Sequence, residues 1–173
     1  LVASNYTQLR DEQAQRRARG DRKMLGIGVS SYVEITAPLG LFVEWGAVEI
    51  EDDGSATIRV GTSSHGQGHD TAFSMIASDK LGIPMDQIRF VQADTDEVPR
   101  GSGTAGSRSL QTAGSCVFIA SDEVWKKSAA LAAKLLEANE ADIVKGDNGG
   151  VQVAGVPARS LSWGELAAAA KDP

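Results

Sequence analysis

Residues 61–71 read GTSSHGQGHDT, a glycine-rich loop that follows a strand-like run and precedes a helix-like one. Glycines at such a junction let backbone N–H groups approach a ligand without interference from a Cβ atom. The helix that begins after the loop adds N–H donors without intrahelical partners and the positive end of its dipole. This order of elements predicts a binding site for an anion, with a phosphate-bearing cofactor as the natural ligand.

A second glycine-rich loop reads GSGTAGSRS over residues 101–109 and also precedes a helical pattern. We call residues 61–68 the first loop and residues 101–109 the second loop. Two loops that each open a helix can converge on one diphosphate, so we predict that both face the same cleft. The second loop adds hydroxyl groups and one planar guanidinium. The candidate ligand-binding residues are Gly66, Gln67, Gly68, His69, Thr104, Gly106, Ser107, Arg108 and Ser109.

Simpler roles are open for several of these residues. Ser107 or Ser109 alone is expected to cap the following helix, and Arg108 can form a surface ion pair. His65 and His69 lie four residues apart, but the glycines between them argue against a helix that extends back to His65. A third metal ligand is also missing from this stretch. We therefore assign no metal site to this chain.

The two loops together resemble the molybdopterin-binding part of the large subunit of molybdenum hydroxylases. The likeness lies in GTSSHGQGHDTAFSMIASDKLGIP, residues 61–84, and in ADTDEVPRGSGTAGSRS, residues 93–109. This is the family of xanthine dehydrogenase, aldehyde oxidoreductase and aerobic carbon monoxide dehydrogenase. The forms HGQGH and GxGTxGSRS are most similar to the carbon monoxide dehydrogenase large-chain branch. The likeness covers nearly the whole chain, but only a fraction of such a subunit.

The resemblance implies a molybdopterin cytosine dinucleotide cofactor with molybdenum, and a reaction that hydroxylates or oxidises a small substrate. Aldehydes, purine-like heterocycles and carbon monoxide are the substrate classes of the family. In the family, electrons leave through iron–sulfur clusters to a flavin or another acceptor. The implied partners are therefore the remainder of the molybdenum subunit, an iron–sulfur subunit and a flavin subunit. The cofactor carries out the bond chemistry, and this chain is expected to hold it.

No catalytic residue is assigned to this chain, because the family's catalytic glutamate lies beyond the match. We therefore expect the isolated chain to be inactive and to carry no molybdenum cofactor. Ala105 departs from the tyrosine often found at this place in the carbon monoxide branch, which leaves the substrate open. Two other functional classes stay open as well. One is a stand-alone module for another phosphate ligand, an alternative that the absence of a GxxxxGK[ST] loop weakens. The other is a structural subunit without catalysis.

Composition places the chain among ordinary globular proteins. Its 173 residues can build one domain with a core, and its net charge of −6 argues against nucleic acid or anionic membranes as partners. No apolar run approaches the length of a membrane span. The single cysteine, Cys116, excludes an internal disulfide and a cysteine-ligated iron–sulfur cluster on this chain. We expect Cys116 to be a small buried residue and the setting to be reducing and cytoplasmic.

Periodicity and turn signals predict an α+β fold, in which helices pack on a mixed or antiparallel sheet. We expect residues 1–173 to form a single α+β unit that is part of the molybdopterin-binding region of a longer subunit. Gly82 is expected to end the helix after the first loop, and a capping box is expected at 162–165. The long helix should pack through Val117, Ala120, Val124, Leu131 and Leu135. The predicted elements are helices over 6–19, 69–81, 110–139 and 166–171, and strands over 24–36, 41–51, 55–60, 87–92, 142–145 and 151–153.

Overall fold

The computed structural model describes residues 2–34, 36–37, 43–146 and 149–171. Internal contacts divide the chain into two compact units, residues 1–34 and 35–173. The described residues form four α-helices and two small three-stranded sheets, which confirms the α+β class. The prediction of a single α+β unit over residues 1–173, as part of a larger molybdopterin-binding region, stays a prediction.

The first unit is built around the predicted charged helix, α1 (Tyr6–Arg19). The helix ends at Gly20, which has a left-handed φ of 68° and donates its N–H to carbonyls of the last turn. Gln13 is buried, and its Nε2 donates to the Leu25 carbonyl oxygen at 2.9 Å. This bond ties the helix to the chain that returns beside it.

The predicted strand over 24–36 is wrong in its described part, because residues 24–34 pair with no sheet among the described residues. The branched side chains suggested a strand, but a strand needs a neighbouring edge to satisfy its backbone and an apolar surface to cover one face. Val29, Tyr32 and Val33 have neither and are between 86% and 92% exposed.

The second unit contains the predicted hairpin of β1 (Gly46–Ile50) and β2 (Ala56–Val60). The strand predicted from residue 41 begins only at Gly46, and residues 41 and 42 lie outside the described residues. Helix α2 (His69–Leu81) follows and ends at Gly82 as expected. It leads to β3 (Ile88–Gln92), which lies parallel to β2 with Val60 opposite Gln92. The sheet order β1-β2-β3 is therefore mixed.

The longest helical segment begins with a π-helical turn, Leu110–Gly114, that runs directly into α3 (Ser115–Leu135). The predicted end near residue 139 is four residues too late, because the described helix ends at Leu135. Leu135 was also predicted on the buried face, but it is 49% exposed. Small residues instead make the close contacts of the buried face, which contains Val117, Ser121, Ala129 and Ala132.

A second sheet follows, formed by β4 (Ile143–Lys145), β5 (Val151–Val153) and β6 (Val156–Leu161), all antiparallel. The predicted hairpin of the first two strands is confirmed, although Asp147 and Asn148 of its turn lie outside the described residues. The last strand was not predicted. The capping box is present: Ser162 N–H donates to Glu165 Oε2 at 2.8 Å, and Glu165 N–H donates to Ser162 Oγ at 3.2 Å. It opens α4 (Trp163–Lys171).

Two apolar clusters stabilise the second unit. One lies between the mixed sheet, α2 and the start of the long helix, and its buried members are Ile58, Val60, Phe73, Ala77, Ala113 and Val117. The other joins the far end of α3 to the second sheet and α4, and includes Leu81, Ile83, Ala132, Val151, Trp163 and Leu166. None of the helices in the described part of the chain is long and apolar enough to cross a membrane.

Candidate functional site

The two glycine-rich loops meet at one cleft of about 500 Å³. The first loop opens α2, and the second loop opens the π-helical turn before α3. The loops come together because β2 and β3 are parallel, so the chain leaves both strands at the same edge of the sheet. The prediction that both loops face one cleft is confirmed by this geometry.

Seven of the nine predicted ligand-binding residues line this cleft, together with Ala72, Phe73, Ala105 and Leu110. These seven are Gln67, His69, Thr104, Gly106, Ser107, Arg108 and Ser109. The other two, Gly66 and Gly68, lie in the first loop beside the cleft, where they adopt left-handed φ values of 107° and 70°. They shape the turn that presents Gln67 and His69. That these nine residues contact a ligand stays a prediction.

A cluster of three hydroxyl groups joins the loops. Thr62, which the sequence did not single out, is completely buried, and its Oγ1 lies 2.7 Å from Thr104 Oγ1 and 3.1 Å from Ser109 Oγ. Thr104 Oγ1 also accepts from Ser63 N–H at 3.2 Å and donates to the Ser63 carbonyl oxygen. The interpretation of Ser109 as a simple helix cap is wrong, since its side chain makes no capping bond among the described residues.

Arg108 lies in the wall of the cleft rather than on the surface, and is only 3% exposed. Its Nη2 donates to the Ser102 carbonyl oxygen and, at 3.1 Å, to the Gly103 carbonyl oxygen. The alternative of a surface ion pair is therefore wrong. The guanidinium stabilises the curvature of the second loop and places a positive charge beside the cleft.

Glu44 holds the other end of the second loop. Its Oε2 accepts from Ser102 Oγ at 2.9 Å, and its Oε1 accepts from the Trp45 N–H at 2.9 Å. The Glu44 carbonyl oxygen accepts from Cys116 Sγ at 3.7 Å. Cys116 is half-buried, and burial together with the nearby Glu44 carboxylate raises the pKa of its thiol. Cys116 was predicted to be a small buried residue, but it is only partly buried; its Cβ would lie 2.9 Å from a Cβ added at Gly46.

The loops cross where Gly61 and Gly101 touch. A Cβ atom on Gly61 would lie 2.5 Å from the Arg100 carbonyl oxygen, and one on Gly101 would lie 2.5 Å from the Gly61 carbonyl carbon. Neither backbone has room for a side chain at this point. These two glycines therefore permit the crossing itself, a role that differs from ligand contact.

The first loop is held by a hydrogen bond within the loop and by one to Gln92 of β3. Gln67 Oε1 accepts from the His65 N–H, and Ser64 N–H donates to Gln92 Oε1 at 2.9 Å. The Gln67 amide oxygen is therefore used inside the loop, which leaves its amide nitrogen as the group suited to a ligand oxygen.

His69, the first residue of α2, is enclosed as well, with 5% exposure. Its ring stacks on Phe73 at 5.1 Å between centroids, and its Nδ1 has no hydrogen-bond partner among the described residues. Burial lowers the pKa of His69 from 6.5. The imidazole is thus neutral near pH 7, with a polar atom that a ligand could satisfy.

Two ion pairs hold Glu97 in the acidic segment before the second loop. Glu97 accepts from Arg89 Nη1 at 3.0 Å and from Arg59 Nε at 3.0 Å. The bonds from Arg89 and Arg59 lower the pKa of Glu97 to about 2. Across the described ranges, no group of three or more His, Cys, Asp or Glu side chains could hold a metal ion.

The sequence patterns did not identify Glu44 and Thr62, which help to build this site. They also did not show that Gly61 is a glycine because of its contact with the second loop. Glu44 stands 58 residues before Ser102, and Thr62 stands 42 residues before Thr104. No local pattern connects positions so far apart. A threonine close after the end of β2 was the only signal that the sequence offered for Thr62, and it is a weak one.

Comparisons with known proteins match nearly the whole chain. The chain matches the model of the molybdopterin cofactor-binding domain over residues 1–173. It is 37% identical to the carbon monoxide dehydrogenase large chain of Afipia carboxidovorans, over 94% of this chain and 22% of that protein. It is 36% identical to the nicotine 6-hydroxylase large subunit of Paenarthrobacter nicotinovorans, over 90% of this chain and 20% of that protein.

Its fold is also similar to that of quinoline 2-oxidoreductase from Pseudomonas putida 86. That crystal structure aligns with a TM-score of 0.70 and 33% identity, over 98% of this chain and 22% of the other. The chain thus spans about a fifth of the length of the relatives it matches.

Proposed function

Because the chain belongs to the family of molybdopterin cofactor-binding domains, we propose that the cleft between its two loops holds the cofactor of a molybdenum-dependent oxidoreductase. The cofactor form we propose is the molybdopterin cytosine dinucleotide. The complete enzyme would hydroxylate or oxidise a small substrate such as an aldehyde, a purine-like heterocycle or carbon monoxide. Its partners would be the remainder of the molybdenum subunit, an iron–sulfur subunit and a flavin subunit.

The observation that carries the proposal is the convergence of two helix starts on one cleft. A diphosphate bears two or more negative charges, whereas one helix start contributes only about half a positive charge. Two helix starts and the Arg108 guanidinium in the cleft wall complement such a ligand better than one loop could. Because Arg108 Nη2 already donates to the second loop, we assign its role to charge and loop support as well as contact.

The residues of the cleft also fit the polar parts of the ligand. Gln67 Nε2 and the Ser109 hydroxyl are suited to donate to ligand oxygens. His69 Nδ1, enclosed and unpartnered among the described residues, fits a ligand donor or acceptor. When bound, the cofactor supplies the redox chemistry, and the groups of this chain orient it and exclude water from it.

Charge at Ser107 gives a direct test. Ser107 is an exposed residue of the cleft with a left-handed φ of 48°, a conformation that Asp and Asn tolerate well. In the molybdenum enzyme that contains this chain, we expect Ser107→Asp to weaken cofactor retention about tenfold, because it adds a negative charge near the phosphates. Ser107→Asn has the same shape without the charge and is expected to retain cofactor as the native enzyme does.

Molybdenum and pterin per enzyme are measured by elemental analysis and by fluorescence of the oxidised pterin. Acid hydrolysis of the extracted cofactor should release cytidine monophosphate if the dinucleotide form is correct. Equal cofactor contents in the Asp and Asn variants would contradict the proposed cleft. Absence of a nucleotide in the extract would contradict only the cytosine dinucleotide form.

A further inference from the structure

The hydroxyl cluster of Thr62, Thr104 and Ser109 divides the second loop's hydroxyls into two functional classes. Thr104 and Ser109 both line the cleft, so both look available to a ligand. Thr104, however, uses its only proton on the Ser63 carbonyl oxygen and also accepts from the Ser63 N–H. It therefore has no proton left to donate to an anion in the cleft.

The hydrogen bond between Thr62 and Ser109 determines whether the Ser109 hydroxyl can donate to a ligand. Its buried Oγ1 lies within hydrogen-bond distance of Thr104 Oγ1 at 2.7 Å, Ser109 Oγ at 3.1 Å and the Gly103 carbonyl oxygen at 3.4 Å. Without a ligand, protons can point one way along the chain, from Ser109 to Thr62 to Thr104 to the Ser63 carbonyl. Every hydroxyl then has an acceptor, and no buried group is left unsatisfied.

An anion in the cleft would turn the protons of Ser109 and Thr62 and leave the proton of Thr104 in place. Ser109 would turn its proton outward to the anion, and Thr62 could then donate to the Ser109 oxygen. A hydroxyl that accepts one hydrogen bond becomes a stronger donor for the next, so Thr62 would polarise Ser109 toward the ligand. Thr104 keeps both of its bonds to Ser63 in either arrangement, so the loops stay joined.

We propose that Thr62 is a positioning residue for the cofactor's phosphate, which it stabilises through Ser109, and that Thr104 locks the two loops together without contacting the phosphate. The inference rests on the proposed function, because it requires an anionic cofactor in the cleft. It narrows the set of predicted ligand-binding residues, since Thr104 becomes a structural residue and Ser109 becomes the hydroxyl donor.

Two substitutions at Thr62 separate the hydroxyl from the shape of the side chain. Thr62→Val keeps the shape and removes the oxygen, whereas Thr62→Ser keeps the oxygen and removes the methyl group. In the molybdenum enzyme that contains this chain, the rate of molybdenum and pterin loss during dialysis is expected to rise about tenfold for Thr62→Val, from the size of a hydrogen bond to a charged group. For Thr62→Ser the rate should stay within about twofold of the native rate.

A double-mutant cycle with Ser109→Ala distinguishes action through Ser109 from a general structural effect. Ser109→Ala alone should also speed cofactor loss about tenfold, and Thr62→Val should add less than about twofold in that background. If Thr62→Val lowers retention equally with and without Ser109, its role is only structural and the inference is wrong. Native retention in Thr62→Val or in Ser109→Ala would also overturn it.

Thr62→Ala replaces Thr62→Val if the valine variant does not yield folded enzyme, with Thr62→Ser again as the hydroxyl-bearing control. The Ser109→Ala arm tests the inference by itself, because it changes a half-buried residue rather than a fully buried one. A native enzyme that contains no molybdopterin would instead refute the proposed function. The two failures are therefore distinguishable.

Discussion

The glycines of the two loops serve different purposes, although they belong to the same sequence motifs. At the crossing point, Gly61 and Gly101 are glycines because each backbone occupies the space that the other's Cβ atom would need. In the open part of the first loop, Gly66 and Gly68 have nothing within 4 Å of a Cβ atom, but both have left-handed φ values. The first pair solves a packing problem and the second pair solves a torsional one.

This difference teaches which parts of the motif tolerate change. A packing clash against backbone atoms cannot be relieved by rotating a side chain, so its cost falls on the whole fold. A residue with a left-handed φ and no close neighbours causes only local torsional strain. That strain is smaller for some side chains than for others. Substitutions at the two kinds of glycine should therefore differ in size and in chemical pattern.

The largest effect is expected at the crossing point. Gly61→Ala or Gly101→Ala should lower the free energy of unfolding by about 3 kcal/mol or more, because the added Cβ forces two backbone segments apart. Urea unfolding followed by circular dichroism measures the loss. Gly28→Ala is the matched control, since Gly28 has no left-handed φ and nothing within 4 Å of a Cβ atom. Equal stability of Gly61→Ala and Gly28→Ala would refute the packing role.

A smaller effect is expected at the start of α2. Gly68 precedes the helix with a φ of 70°, and its carbonyl oxygen accepts from the Ala72 N–H at 3.0 Å. Gly68→Ala should lower the free energy of unfolding by about 1–2 kcal/mol, the cost of a left-handed L-residue. Gly68→Asn should lose less, because asparagine adopts this conformation more readily.

The comparison of these two variants in the same urea experiment tests the torsional explanation. If alanine and asparagine cost the same, the role of Gly68 lies in the space around it and not in its φ angle. A loss at Gly68→Ala as large as that at Gly61→Ala would remove the distinction between the two kinds of glycine.

The smallest expected effect is a difference in pH dependence between the two loops. Burial lowers the pKa of His69, which directly follows the first loop, so the unfolded chain takes up this proton first, and stability falls as the pH drops below 6.5. Arg89 and Arg59 lower the pKa of Glu97, beside the second loop, from 4.5 to about 2. Stability from Glu97 is complete above about pH 4.5 and is lost as the pH falls toward about 2.

Thermal unfolding between pH 7 and pH 2 separates the pH range in which His69 lowers stability from the range in which Glu97 does. His69→Phe keeps the stacked ring without a titrating group and should remove the loss of stability that begins near pH 6.5. Glu97→Gln should leave that part unchanged and flatten the curve below pH 4.5. If His69→Phe changes the stability below pH 4.5, or Glu97→Gln changes the stability near pH 6.5, the two loops do not contribute to stability independently.

Local elements were largely predictable from the sequence, because their signals lie within a few residues. The glycine at position 82 ends α2, and the Ser162–Glu165 capping box opens α4, as expected from short-range chemistry alone. The strand predicted over 24–36 is wrong in its described part for the opposite reason. Its side chains favour a strand, but strand formation depends on a partner that the local sequence does not contain.

The candidate site was predictable in its location and only partly in its construction. Both loops were identified from their glycines, and the family resemblance was identified from the same residues. The hydrogen bonds of Arg108 to its own loop were not predictable, however: its Nη2 donates to the Ser102 and Gly103 carbonyl oxygens. A charged side chain in a glycine loop does not reveal by its sequence whether it points to a ligand or to the backbone that surrounds it.

The sequence by itself determined where the two loops lie, that each opens a helix, and which family they resemble, since all three depend on neighbouring residues. Only the tertiary structure decided that the loops cross at Gly61 and Gly101 and are joined through Thr62. The physical reason is the parallel pairing of β2 with β3, with Val60 opposite Gln92, which sends both chain segments out at one edge of the sheet. That pairing depends on α2 packing across the sheet, and no pattern within either strand encodes it.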